Sequence, residues 1–129
     1  MSEKLSGNTN ALNWFEIPAI DIERGKKFYE NIFDVQMMSM DMMGMQMAMF
    51  PSMPPHVGGA LVKSDQHKPS MDGAVVYVNG NPDLQKVLDK VVQAGGQILM
   101  PKTLIDEETG YMAFILDTEG NKLGIHSGQ

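Results

Sequence analysis

The hydrophobic period changes along this chain in an order that occurs twice, and this restricts the possible folds more than any other feature. Residues 12–18, LNWFEIP, alternate in the manner of a half-buried strand. Alternation puts Trp14, Glu16 and Pro18 on one face and Phe15 and Ile17 on the other. From Ile22 to Phe33 the spacing turns helical, with Ile22, Gly25, Phe28, Tyr29, Ile32 and Phe33 sharing a stripe. Asp21 is a suitable N-cap, and Asp34 a candidate for the left-handed position that ends the helix. Period two then returns: Met38, Met40 and Met42 alternate, as do Met43, Met45, Met47 and Met49, with Met43-Gly44 as a hairpin turn. Pro51, Pro54 and Pro55 break the pattern, and 58–63, GGALVK, read as a fourth strand.

After a polar linker the order begins again. Residues 73–79 read as a strand, and a helix opening at Pro82 or Asp83 runs to Ala94 before Gly95-Gly96. Residues 97–105 form a strand interrupted near Pro101, and 111–117 and 122–126 are strands joined by Asp117-Thr118-Glu119-Gly120-Asn121. The chain therefore reads as an α+β fold of two βαβββ modules, about 11–64 and about 72–127, within one domain over residues 1–129. Residues 1–9 read as a flexible leader. Each half curves a mixed sheet around one helix, and two such halves enclose a central cleft, the usual place for a ligand.

Charge and cysteine content exclude several functions. A net charge of −6 argues against a nucleic-acid surface and against an anionic membrane. With no cysteine, thiolate catalysis, disulfides and thiolate-bound zinc are all excluded. No apolar run has the length of a membrane span and the N-terminus has no signal-like core, so cytoplasmic residence is expected by default. No dinucleotide or phosphate loop is present.

Trp14-Phe15-Glu16-Ile17-Pro18, Asp21, Phe28-Tyr29 and Ile32-Phe33, followed by Gly95-Gly96, Pro101-Lys102, Gly110-Tyr111 and the Asp117–Asn121 turn, resemble the vicinal-oxygen-chelate superfamily, which holds glyoxalases, bleomycin-resistance proteins and dioxygenases. The resemblance runs from about Leu12 to Ser127. It implies that superfamily's fold of paired modules, a small-molecule ligand and a homodimer. In its metalloenzymes four strand positions supply His and Glu ligands to one divalent metal. Those positions fall on Trp14, Ala60, Ala74 and Gly124; a slip by one residue offers Asn13, Leu61 or Val75. Neither register gives a His or Glu at the first three positions, and tryptophan, alanine and glycine side chains supply none of the several converging N or O donors a divalent ion needs, so no cofactor is expected.

Glu16 shares the face of Trp14, and His126 that of Gly124. An acid–base pair of Glu16 and His126, or two ligands for a displaced metal, is one expectation; a rim carboxylate and a strand-end imidazole is the plainer one. Trp14, Met47, Met49, Ala60, Ala74 and Gly124 are expected to line the ligand cleft. The methionines of 37–53 have three readings: adaptable packing, Cu(I) binding through thioethers, or a flexible partner surface. His56 and His67 read as exposed loop residues. Three functions compete: a metal-independent binder of a small organic molecule; a lyase, isomerase or dioxygenase-type enzyme using Glu16 and His126; and a homodimeric interaction module without catalysis.

Overall fold

The computed structural model describes residues 3–129. Its first half runs β1 (Trp14–Pro18), α1 (Ile22–Phe33), β2 (Met38–Met42), β3 (Met45–Met49), β4 (Gly58–Lys63). The second runs β5 (Tyr77–Asn79), α2 (Gln85–Val91), β6 (Gln97–Asp106), β7 (Gly110–Leu116), β8 (Lys122–Ser127). The sheets are ordered β1-β4-β3-β2 and β5-β8-β7-β6, so the halves share one topology. In each, the first strand lies parallel to the last, and the other pairs are antiparallel. The α+β arrangement of two open, mixed four-stranded sheets agrees with the twofold period change.

Local chemistry explains the element ends. The Asp21 carboxylate accepts the Arg24 N–H at 3.1 Å and caps α1. Asp34 closes α1 at φ 54°, ψ 52°. Met43 and Gly44 both have positive φ, 54° and 79°, as a two-residue hairpin turn of matching twist requires. That turn sets Met42 opposite Met45 and so fixes the register of β2 on β3.

The larger departures from the sequence expectation lie in the second half. β5 begins at Tyr77 rather than at 73, because Gly73 at φ 94° turns the chain; only Val76 extends the ladder, accepting the Gly124 N–H at 2.9 Å. α2 is shorter than 82–94: Asp83 accepts the Gln85 N–H at 2.9 Å in a turn before the helix, and tight turns after Val91 lead to Gly95-Gly96. β6 is one strand through Pro101, but its pairing with β7 shifts register between Met100 and Thr103, an irregularity at Pro101 as the sequence suggests and tolerated because β6 is an edge strand. Of the leader, residues 1 and 2 lie outside the described residues, and 3–9 are almost wholly exposed, with a turn closed by Ser6 and Thr9.

One apolar cluster runs through both halves. Ile17, Ala48 and Leu61 from the first sheet and Ala113, Ile115, Leu123 and Ile125 from the second meet Phe28, Tyr29, Ile32, Leu88 and Val91 of the helices. Burying each large side chain stabilises the fold by about 1.5–3 kcal/mol. The 117–121 turn then locks the halves together. Asp117 accepts the buried Tyr29 hydroxyl at 2.7 Å, and Asn121 Nδ2 donates to the Pro18 carbonyl at 2.7 Å. Glu119 accepts the N–H groups of Ile20 and Asp21, at 2.9 and 2.7 Å, and is held by the Arg24 guanidinium. Burial pushes the Glu119 carboxyl up, but Arg24 and these N–H groups outweigh it and hold the group below the usual carboxylate range.

Candidate functional site

β1 and β5 are each an edge of their own sheet. Between the segments that carry them lies a crevice of ≈ 980 Å³, large enough for a small organic ligand. Its walls are mainly apolar, with Leu12, Phe15, Phe33 and Phe50 from one half and Val75 and Tyr77 from the other. Phe15 and Phe50 support each other with ring centroids 5.6 Å apart.

The strand ladders reveal a relation between the halves. Trp14 on β1 lies beside Gly58 on β4, and Tyr77 on β5 lies beside Gly124 on β8. Each aromatic residue is partly exposed, 39% for Trp14 and 48% for Tyr77. The Tyr77 ring covers the Gly124 backbone so closely that a Cβ there would come within 2.4 Å of it. Sequence reasoning singled out Trp14 but missed Tyr77; the signal was its equivalent place in the repeated first strand.

The residues expected at the cleft separate into groups. Ala74 lines the crevice, together with Gly58 and Tyr77, the ladder neighbours of Trp14 and Gly124. Ala74 lies in a non-strand segment before β5. Met47 and Ala60 are buried with Val62 in a small cluster, with Met45 and Met49 packed against it, apart from the main core.

Glu16 and His126 are not hydrogen-bonded to each other. His126 Nε2 lies 2.6 Å from the Thr109 carbonyl. Glu16 accepts from Trp14 Nε1 at 3.2 Å and pairs with His67 Nε2 at 2.7 Å. His67 is thus not a free loop residue. Its side chain is 18% exposed, and its Nδ1 lies 2.7 Å from Ser64 Oγ across the 64–67 turn. A continuous chain Trp14–Glu16–His67–Ser64 results. Glu16 also lines a second, smaller pocket of ≈ 190 Å³ with Lys68, Ser70, Asp72 and Lys122. A carboxylate bound to an imidazole beside a pocket has the chemistry to carry a proton.

The four side chains at the positions that the resemblance assigns to metal ligands supply no donor for a divalent metal. Trp14, Ala60, Ala74 and Gly124 offer indole, methyl and bare backbone at the aligned positions. Among the described residues no three His, Asp or Glu side chains are grouped to hold an ion.

Two open βαβββ modules joined through their helices define a class of fold. Solved structures share it. Glyoxalase I from Zea mays superposes with a TM-score of 0.66 at 20% identity, covering 91% of this chain and 46% of that one. A glyoxalase/bleomycin resistance protein from Albidiferax ferrireducens T118 gives 0.66 at 16%, covering 92% and 98%. A family enzyme from Burkholderia phytofirmans PsJN gives 0.62 at 13%, covering 91% and 98%. The chain spans less than half the length of the maize enzyme. Residues 11–125 match the model of the Glyoxalase/Bleomycin resistance protein/Dioxygenase superfamily, and the chain belongs to that superfamily. No curated protein matches the sequence.

Proposed function

We propose that the chain binds a small, largely apolar organic molecule without a metal, in the crevice between the β1 and β5 segments. One observation supports this: the crevice of ≈ 980 Å³ has mainly aromatic and aliphatic walls, while Trp14, Ala60, Ala74 and Gly124, where the resemblance puts metal ligands, carry no donor for a divalent ion. Tyr77 lines the crevice, and its half-exposed ring is available to stack on a planar ligand; Trp14 lies beside the lining residue Gly58 on β4. A cytoplasmic homodimer is part of this proposal. The support for the dimer is the long β6 edge, on which Ile98, Leu99, Leu104 and Ile105 are exposed.

The test uses chelator-dialysed protein and the neutral fluorescent probe N-phenyl-1-naphthylamine, with the single tryptophan, Trp14, as an internal reporter. Saturable binding at one probe per chain is expected, unchanged by added Zn²⁺ or Ni²⁺. It falls at least tenfold in Val75→Arg, which puts a charge into the apolar wall. Tight divalent-metal binding by calorimetry, or probe binding that needs a metal, overturns the proposal.

The Trp14–Glu16–His67–Ser64 chain favours a second reading, an enzyme acting on a small carbonyl or diol compound in the lyase or isomerase manner, with Glu16 and His67 moving the proton. His126 has no part in that arrangement, being bound to the Thr109 carbonyl. Turnover of such a substrate should then vanish in Glu16→Gln with folding intact; unchanged turnover removes Glu16 from the chemistry.

A further inference from the structure

We propose that the face of the β2–β3 hairpin carrying alternate methionines binds one soft monovalent cation, Cu(I), through thioether sulfur. The antiparallel register sets Met40 opposite Met47 and Met42 opposite Met45, with Met38 opposite Met49 further from the turn. Alternation places all six on one face and leaves Ser39, Asp41, Gln46 and Ala48 on the other. Directly opposed Cβ atoms lie about 5 Å apart, and successive same-face residues on one strand about 7 Å apart. Each methionine has three rotatable bonds, so sulfurs from two adjacent opposed pairs can converge on one ion.

Packing alone does not call for sulfur here. Strand positions favour β-branched and aromatic residues. Met38, Met40 and Met42 stand on an exposed edge strand, 68%, 40% and 44% exposed, where a long flexible side chain gains little by burial. Across the ladder Met47 is buried, 3% exposed, on a floor of Ala60 and Val62. One fixed and several open thioethers on an apolar floor make a binding site for an ion that prefers soft, weakly hydrated donors. Thioethers select Cu(I) and leave hard or borderline divalent ions in water. No thiolate competes, because the chain has no cysteine. This site is separate from the crevice, whose walls include none of these methionines.

The experiment is an anaerobic titration of the full chain, labelled with ¹³C at the methionine methyls, using Cu(I) held by bicinchoninate. One ion per chain should leave the competitor, and the methyl signals of Met40, Met42, Met45 and Met47 should move together. Zn²⁺ should move none of them. The triple variant Met40→Leu, Met42→Leu, Met45→Leu keeps apolar volume but removes three sulfurs, and should lose affinity at least a hundredfold. Copper remaining on the competitor, a shift confined to methionines elsewhere in the chain, or a folded triple variant that competes as well as the parent overturns the proposal. The methyl map of the unaltered chain decides the question even if the variant does not fold.

Discussion

His67 and Glu16, 51 positions apart in sequence, meet with Nε2 and Oε1 at 2.7 Å. A carboxylate accepts but does not donate, so the ring proton of uncharged His67 belongs on Nε2. Nδ1 then accepts from the Ser64 hydroxyl, whose oxygen is free to receive the Gln66 N–H at 3.1 Å. Long-range ¹H–¹⁵N spectra of the imidazoles should show the Nε2–H tautomer for His67. Glu16→Gln should weaken that preference, since an amide can either accept or donate. An Nδ1–H tautomer in the parent chain would mean that the imidazole donates to Ser64 and offers Glu16 no proton, which would break the relay.

Glu119 joins the second half to the first. It accepts the Ile20 and Asp21 N–H groups and the Arg24 guanidinium, and its own side chain is fully buried. Glu119→Gln should cost about 2–3 kcal/mol at neutral pH, the scale of hydrogen bonds to a buried charge. The pH dependence has a definite sign. The folded-state carboxyl is held below its unfolded value, so its contribution is present above the unfolded carboxylate pKa of about 4.3 and is lost as pH falls through the folded value. Urea denaturation of parent and variant at neutral and acid pH should show the gap closing on the acid side. A gap that stays constant would mean the charge is not what is lost.

These two contacts show what the sequence conveys and what it hides. Asp21 as a cap, Asp34 in the left-handed region and the Met43-Gly44 turn are legible because each is decided by backbone chemistry within a few residues. The repeated element order is legible for the same reason. His67 reads as a loop residue because its partner Glu16 comes close only when β1 and the linker fold together. Tyr77 escapes notice, although 73–79 reads as a strand, because its place over Gly124 is set by the parallel pairing of β5 with β8, two strands far apart in sequence. Glu16 and His126 each sit on a strand face where alternation puts them, but alternation says nothing of how two strands in different sheets are set apart.

Tyr29 is wholly buried and its hydroxyl donates to Asp117 at 2.7 Å. Burial first, then the neighbouring Asp117 carboxylate, raise its pKa well above the ordinary tyrosine value. The folded chain therefore keeps Tyr29 protonated, and the stability this represents is complete below the unfolded pKa of about 10 and lost as pH rises beyond it. Tyr29→Phe should cost about 1–3 kcal/mol at neutral pH, because Asp117 keeps Asn121 Nδ2 and two backbone N–H groups as partners. Absorbance at alkaline pH should show the Tyr29 phenolate forming only with unfolding, as followed by far-ultraviolet circular dichroism. Ionisation of all three tyrosines while the fold persists would refute this.

Gly124 and Tyr77 should behave as a coupled pair. A Cβ at position 124 would lie 2.4 and 2.5 Å from two atoms of the Tyr77 ring, closer than any real contact allows. Gly124 has an ordinary backbone conformation, so alanine there meets the ring and not a forbidden φ. Gly124→Ala should therefore destabilise the fold by about 1–3 kcal/mol, an overpacking cost. The ring is half-exposed and packs on Phe114 at 5.9 Å between centroids, so it can swing away only by leaving that contact. Tyr77→Ala removes the obstacle, and in that background Gly124→Ala should cost little. A double-mutant cycle by urea denaturation should then give a coupling of about 1 kcal/mol or more. Additive costs would mean that something other than the aromatic ring holds position 124 to glycine, and would weaken the case for Tyr77 as a fixed wall of the crevice.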